Sequence, residues 1–402
     1  MNIIQITSFY PPHLGGQENI ARETSERLAK KGHQIEVLTS DIDCPKDKQL
    51  KSNKNIKIHY LPAKEFAHTP IIFSLYKELM KIPQDSIMHV HVAQAYVPEI
   101  VYKIWKKRNI PYIAHILIDA EPSNFFGKII LKPYKKIFLK RFLRHAKKVI
   151  VLTEDYKDLM IKKYSIDRNR IEVIPGGVSN EFFTNRRSKN KVPRLLSVGR
   201  VSIQKNPLKL IKSVALCKSK FILDIVGDGD LLDETKKLVK EEHLGNVIFH
   251  GRKTGRDLIK MYENADLFIS TTDQESFGLT YIEAMASGLP IITSNIPAVR
   301  NVVKNDYTGL LVDESPKDFA EAVEKLIKTS KLRERLARNG LKEAKKYSWD
   351  KIVEQTEKVY KEVLKEHNKK LNNKKWPPTM PQPTIQNQVI IITNLERALA
   401  RE

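Results

Sequence analysis

The residues of this 402-residue chain that could do chemistry gather just after short apolar runs. Behind the run at 267–270 stands Gln274-Glu275-Ser276-Phe277-Gly278-Leu279-Thr280-Tyr281-Ile282-Glu283-Ala284-Met285-Ala286-Ser287-Gly288-Leu289-Pro290, with Glu275 and Glu283 eight positions apart across a loop-to-helix junction. A loop that closes at Phe277-Gly278-Leu279 and opens a helix leaves its first backbone N–H groups unpaired, at the positive end of the helix dipole. Such a turn holds an anion, and a diphosphate suits it. The plainer alternative is an ordinary amphipathic helix with one capping glutamate. Behind the run at 194–198 stand Arg200 and Lys205. A fixed guanidinium and an ammonium beside a diphosphate neutralise charge as it develops. Among 70 Lys plus Arg any one pair is usually solvated surface, and it is the place directly after a strand that singles these two out.

Three further loops end apolar runs. Ile225-Val226-Gly227-Asp228-Gly229 makes a tight glycine turn, where backbone approaches a flat ligand closely. Gly15 and Gly16 stand side by side at a helix start, which admits a phosphate; their spacing is not the G-x-G-x-x-G of a dinucleotide fold, so nicotinamide chemistry is not expected. Ile113-Ala114-His115-Ile116-Leu117 places a histidine towards the end of an apolar strand, either a site residue or a core residue, with two carboxylates, Asp119 and Glu121, after it. The strings Asp41-Ile42-Asp43 and Asp228-Gly229-Asp230 match a two-aspartate metal pattern, but any acidic loop can do so by chance and two cationic side chains already serve the diphosphate, so no metal is expected.

The elements that must position these groups alternate strand and helix. An apolar run at 3–7, a helical pattern at 19–28 closed by Gly32, and a run at 35–39 form a βαβ unit, and the alternation returns at 88–92, 111–117 and 149–153. A polar, turn-rich stretch follows, and a second series starts at 194, with strands expected at 194–198, 221–226, 247–250, 267–270, 290–293 and 309–312. The expected fold is α/β, two facing Rossmann-like domains. Residues 1–185 make the first, 186–193 a linker, 194–350 the second, and 351–375 a helical segment that returns to the first. Residues 376–402, opening with repeated prolines, form an appendage.

Composition agrees with a globular chain, 41% hydrophobic and 29% charged. Two cysteines, Cys44 and Cys217, exclude a disulfide framework and a cysteine-rich zinc site. Neither a signal peptide nor a run of about 18 apolar residues is present, so a cytoplasmic setting is expected. The net charge of +23 calls for an anionic partner.

The segment at 274–290 resembles the signature of the retaining glycosyltransferases of family 4, and Ser197-Val198-Gly199-Arg200…Lys205-Asn206-Pro207 resembles the Gly-Arg…Lys-Asn/Gly-Pro element of the same family. The likeness extends over most of residues 1 to about 365, including the loop Tyr10-Pro11-Pro12-His13-Leu14-Gly15-Gly16. It implies the GT-B fold and transfer of a sugar from a nucleotide sugar with retained anomeric configuration, without cofactor or metal. It implies that Glu275 holds hydroxyls of the donor sugar and Glu283 the ribose, and that Arg200 and Lys205 serve the leaving diphosphate. It further implies that Gly15, Gly16, Gly227, Phe277, Gly278 and Leu279 approach the donor, that Arg252 neighbours the nucleotide, and that His115 reaches the sugar. This chain departs from the family at Asn301, where a glutamate is usual, and at Gly176 in Ile174-Pro175-Gly176-Gly177-Val178, where asparagine is common.

A nucleotide-sugar epimerase or a phosphorylase would share the architecture, but no lysine-bound pyridoxal site is recognisable. A nucleic-acid-binding protein would share the charge, but the lysines are scattered and no nucleic-acid motif occurs. Residues 128–148 mix lysine and arginine with Ile, Leu, Phe and Tyr. They either lie in an anionic membrane surface, which would place a lipid or lipid-linked acceptor at the inner face of the cell membrane, or pack on the sheet with their charges in water.

Overall fold

The computed structural model describes residues 1–13, 15–66, 69–117, 133–184, 190–313 and 315–373; Asp119, Glu121, the first half of the expected linker, the start of the basic segment and the appendage lie outside them. The first sheet contains β1 (Asn2–Ile6), β2 (Gln34–Ser40), β3 (Ile56–Leu61), β6 (Ser86–Val92), β7 (Tyr112–Ile116), β8 (Lys148–Val151) and β9 (Ile171–Val173), in the order β3-β2-β1-β6-β7-β8-β9, with every pair parallel. A small antiparallel hairpin of β4 (Ala63–Phe66) and β5 (Thr69–Ile72) follows β3. The second sheet is also all parallel: β10 (Arg194–Val198), β11 (Ile222–Val226), β12 (Val247–Phe249), β13 (Leu267–Ser270), β14 (Ile291–Ser294) and β15 (Gly309–Val312), in the order β12-β11-β10-β13-β14-β15.

Parallel strands covered on both faces read as continuous buried runs. All seven residues of β6, including His89 and His91, are buried, so no alternation marks the strand. In each sheet the order reverses once, at β1/β6 and at β10/β13, and crevices at such reversals take ligands. The loops after β10 and β13 carry Arg200, Lys205 and Glu275, and the loop after β1 carries Gly15 and Gly16. Each sheet has its own apolar core, one around Val90, Ala114 and Phe142, the other around Leu223, Ile269 and Phe319.

By compactness the chain divides into Met1–Val363, which holds both sheets, and Leu364–Glu402. Within the first unit the two passes between the sheets run side by side: Val178 N donates to Tyr347 O at 2.8 Å, and Val178 bridges Ser348. The helix Trp349–Asn373 then returns to the first sheet as expected. Arg27 Nη1 lies 2.5 Å from Asp350 Oδ1, and Lys31 Nζ and His33 Nε2 lie 2.7 and 3.1 Å from the two oxygens of Glu357. After β15 come three helices, Pro316–Lys328, Ser330–Ala344 and Trp349–Asn373, the last two separated by a turn at Lys345–Tyr347.

Candidate active site

The loops after β10 and β13 are stitched together. Thr272 Oγ1 donates to Gln204 O at 2.9 Å and Thr271 Oγ1 to Asn206 O at 2.8 Å. Asn206 adopts a left-handed backbone, φ 46°, and its amide works twice. Oδ1 accepts from Lys209 N at 3.0 Å to cap the helix Pro207–Ala215, and Nδ2 donates to Asp273 Oδ2 at 2.7 Å. Lys209 Nζ reaches the other Asp273 oxygen at 2.5 Å. This frame fixes Lys205, at the end of a short 3₁₀ turn, with Nζ 2.5 Å from Glu275 Oε2.

Gly278, φ 87°, caps the helix Leu279–Ala286, and a Cβ there would lie 2.3 Å from the Tyr281 ring. Only glycine meets both demands. Two turns in, Glu283 Oε2 accepts from Tyr262 Oη at 2.8 Å, and burial pushes the Glu283 carboxyl up to about 7 although the Tyr262 bond pulls it down.

Opposite lies the start of the helix Gly16–Lys30. A Cβ on Gly16 would sit 3.6 Å from Leu279 Cδ1, so two helix N-termini converge on one space. Gly176 completes the contact, for a Cβ there would stand 2.5 Å from Leu279 Cδ2. The departure from asparagine thus makes room for Leu279. At the other departure, Asn301 Nδ2 donates to Asp155 Oδ2 at 2.8 Å, joining the two halves where a glutamate would repel. In the first turn of Gly16–Lys30, buried Glu18 binds His13 Nδ1 at 2.8 Å.

A cleft of about 880 Å³ is lined by Gly15 and Gly16 from one side and by Lys205, Glu275, Phe277, Gly278, Leu279 and Glu283 from the other. Arg200, Gly227, Arg252 and His115 are not on that lining. Arg200 and Arg252 are exposed. Gly227, φ 148°, packs so closely on the loop after β10 that a Cβ would lie 1.8 Å from Gly199 O, and its N–H donates to Gly251 O at 2.9 Å. These three residues therefore stand at the ends of neighbouring strands β10, β11 and β12. His115 is 5% exposed on β7, two residues before Leu117, which does line the cleft. It belongs to a buried polar network with His89, His91, Gln5 and Tyr360 that the sequence reading did not find. The available signal was His89-x-His91 on a strand, which puts both rings on one face. Ring nitrogens of His89, His91 and His115 lie within 4.8 Å of one another, the one such group among the described residues.

Two parallel sheets presenting their order-reversal loops to one anion-ready cleft define a GT-B glycosyltransferase, and solved structures share the fold. They include a glycosyltransferase from Rickettsia africae, TM-score 0.71 at 21% identity, covering 90% of this chain and 98% of the other. Another is Anabaena HepE in complex with UDP and glucose, TM-score 0.73 at 15% identity, covering 90% and 100%. Two family models divide the chain between them, Glycosyltransferase Family 4 over residues 14–182 and Glycosyl transferases group 1 over residues 178–343. The chain belongs to glycosyltransferase family 4. Its relatives include the capsular polysaccharide biosynthesis glycosyltransferase CapM of Staphylococcus aureus, 27% identical over 86% of this chain and 94% of the relative. The alpha-monoglucosyldiacylglycerol synthase of Streptococcus pneumoniae is 28% identical over 88% and 84%.

Proposed function

We propose that the chain transfers a sugar from a nucleotide diphosphate donor, with UDP-sugars the first to test, and retains the anomeric configuration. The convergence of the N-termini of Gly16–Lys30 and Leu279–Ala286 beside the Lys205–Glu275 pair carries this reading. The diphosphate lies against the N–H groups at 277–279, Lys205 neutralises the leaving group with Arg200 approaching from the end of β10, and Glu275 turns to the sugar hydroxyls. Glu283 receives the ribose, with Gly227 and Arg252 on the nucleobase side. His115 contacts the sugar from the first half, and residues 1–185 take the acceptor. No carboxylate is cast as a covalent nucleophile; attack comes from the face of the departing diphosphate, which takes the acceptor proton. The test is NMR of the first-formed product, where an inverted anomer would remove the mechanism.

The acceptor is proposed to be held at an anionic membrane on the cytoplasmic side. No helix among the described residues is long and apolar enough to cross a membrane. The described part of the basic segment divides its residues: Leu139, Phe142 and Leu143 are buried, while Ile137 is 71% exposed. Lys136, Lys140, Arg144 and His145 rim a cavity beside Ile137, and basic side chains near an anionic surface contribute about 1 kcal/mol each. Arg141 stands exposed on the same rim, with its Nε donating to Tyr102 Oη at 2.9 Å. Wild type is therefore expected to sediment with vesicles rich in anionic lipid, and a Lys136→Gln, Lys140→Gln, Arg144→Gln variant to stay in the supernatant. Wild type that stays in solution at moderate salt would overturn the membrane reading.

A further inference from the structure

The network around His115 spans three strands and the returning helix. Gln5 on β1 stands opposite His89 on β6, and His91 opposite His115 on β7. The three rings are at most 5% exposed, and no carboxylate is bonded to them among the described residues. Burial holds all three imidazoles well below their ordinary range, His115 at about 3, so they are neutral and each carries a single ring proton.

Which nitrogen carries that proton follows from the hydrogen bonds. Gln5 Oε1 can only accept, so His91 Nε2, 2.8 Å away, donates to it. The Gln5 amide nitrogen can only donate, and it does so to Tyr360 Oη at 3.2 Å. Tyr360 has then a proton left to give, and its hydroxyl lies against His89 Nδ1. His89 therefore carries its proton on Nε2, 3.0 Å from His115 Nδ1, which accepts it. The proton of His115 is left on Nε2. Among the described residues that N–H is buried and has no partner, although an unpaired buried donor is costly.

We propose that Gln5, Tyr360 and His89 are positioning residues that fix the tautomer of His115, so that it offers an Nε2–H donor to an oxygen of the donor sugar. The inference rests on the reading of His115 as a sugar contact. It adds that the returning helix, through Tyr360, sets the hydrogen-bonding polarity of the first half of the site. A sugar hydroxyl or ring oxygen accepts such a bond. The other tautomer would present a lone pair, which meets a hydroxyl only as an acceptor and a ring oxygen not at all.

The rival occupant of three clustered histidines is a transition-metal ion, for which imidazole is a fitting ligand. It is the less favoured reading because His89 has both nitrogens engaged, so only two ring nitrogens stand unbonded, His91 Nδ1 and His115 Nε2.

The experiment uses the full chain labelled with ¹⁵N-histidine, read by long-range proton–nitrogen correlation, together with transfer kinetics. In wild type, His115 is expected as the Nε2–H tautomer. In Tyr360→Phe, His89 loses its enforcing donor and His115 is expected as a mixture. His89→Leu, which removes the donor to His115 Nδ1, is expected to lower kcat about 10- to 100-fold, the range for leaving a buried partner unpaired, with a smaller change in the donor KM. His89→Gln places an amide N–H near the lost Nε2–H and is expected to recover kcat to within about threefold of wild type. A lowered melting temperature with tautomer and kcat unchanged in Tyr360→Phe and His89→Leu would mean that the network only holds the fold, and would overturn the proposal. One equivalent of Zn²⁺ that raises the melting temperature of wild type but not of His91→Ala would overturn it in favour of a metal site. If His115→Ala keeps wild-type kcat while the tautomer still responds to Tyr360→Phe, it is the sugar-contact reading that fails, separately from the relay.

Discussion

The two sides of the cleft are polar in opposite ways. Around β10 and β13 the polarity is ionic and close to the lining: Lys205 with Glu275, Lys209 with Asp273, and Glu283 beneath Tyr262. Around β6 and β7 it is neutral and buried, a chain of imidazole, amide and phenol in which each proton has one permitted place. The contrast matches what each side is proposed to hold. A leaving diphosphate gains charge and calls for fixed cations and open N–H groups, whereas a sugar carries hydroxyls and calls for donors and acceptors of defined direction. Ionic groups tolerate some misplacement, because Coulomb attraction falls slowly with distance; a neutral hydrogen bond does not.

The largest expected effect lies on the ionic side. Lys205→Ala removes a preorganised cation from the proposed leaving-group site, and Glu275→Ala removes its partner and the proposed sugar contact. Each is expected to cost about 100- to 1,000-fold in kcat, with circular dichroism unchanged. Near-wild-type turnover in Lys205→Ala would mean that the ion pair is only part of the loop frame, a role already filled by Lys209 and Asp273, and the contrast between the two sides would lose its chemical meaning.

That side was also the legible one. Glu275, Gly278, Glu283 and Lys205 fall within two short stretches after apolar runs, so local sequence carries both the helix N-terminus and the charges. The six strands of the second sheet could be read from apolar runs and lie within a residue of the expected bounds. In the first sheet β3, with the pattern Ile56-x-Ile58-x-Tyr60-Leu61, and three-residue β9 escaped notice, being an edge strand interrupted by Lys57 and His59 and a very short one. The histidine network was out of reach for another reason. Its members stand at 5, 89, 91, 115 and 360, and only the parallel register of β1, β6 and β7 and the return of the last helix bring them together. Lone buried histidines and tyrosines look like core residues in sequence. Arg200, singled out by its place after a strand, and Arg252, named from the family likeness, stand exposed at strand ends beside the cleft, so the kinetics of Arg200→Ala will tell whether it approaches the donor.

A smaller effect is expected at Glu283, whose carboxyl burial lifts to about 7. The proposed ribose contact needs the carboxylate, so UDP affinity should fall by up to about tenfold per pH unit below about pH 7, measured by calorimetry. The stability of the ligand-free fold runs the other way. A folded pKa above the unfolded value of about 4.3 means a contribution that is present at low pH and lost as pH rises through 7. Tyr262→Phe removes the bond that pulls the carboxyl down, and the affinity midpoint should move to higher pH. An affinity flat from pH 5.5 to 8 would separate Glu283 from the nucleotide and leave Tyr262 a core residue.

The smallest expected effect separates anchoring from relay on the returning helix. Glu357 and Tyr360 lie one turn apart on Trp349–Asn373 and both face the first half of the molecule. Glu357 takes three partners, Lys31 at 2.7 Å, Lys361 at 2.6 Å and His33 at 3.1 Å, and its bonds to Lys31 and Lys361 hold its carboxyl down at about 2. The sign follows directly: a depressed carboxylate stabilises the fold above its unfolded value of about 4.3, and that contribution drains away as pH falls towards 2. Glu357→Gln should therefore lower the melting temperature at pH 7, by an amount corresponding to about 1–3 kcal/mol for a charged hydrogen-bonded group. The difference from wild type should shrink between pH 5 and 3. Because the bond from Tyr360 to His89 is left in place, kcat at 25 °C should stay within about twofold of wild type, a change of less than about 0.5 kcal/mol in the barrier. Tyr360→Phe should show the reverse, a pH-independent loss of stability with altered kcat. If Glu357→Gln lowers kcat as much as Tyr360→Phe, then seating the helix is all that matters and the neutral network has no directional role of its own.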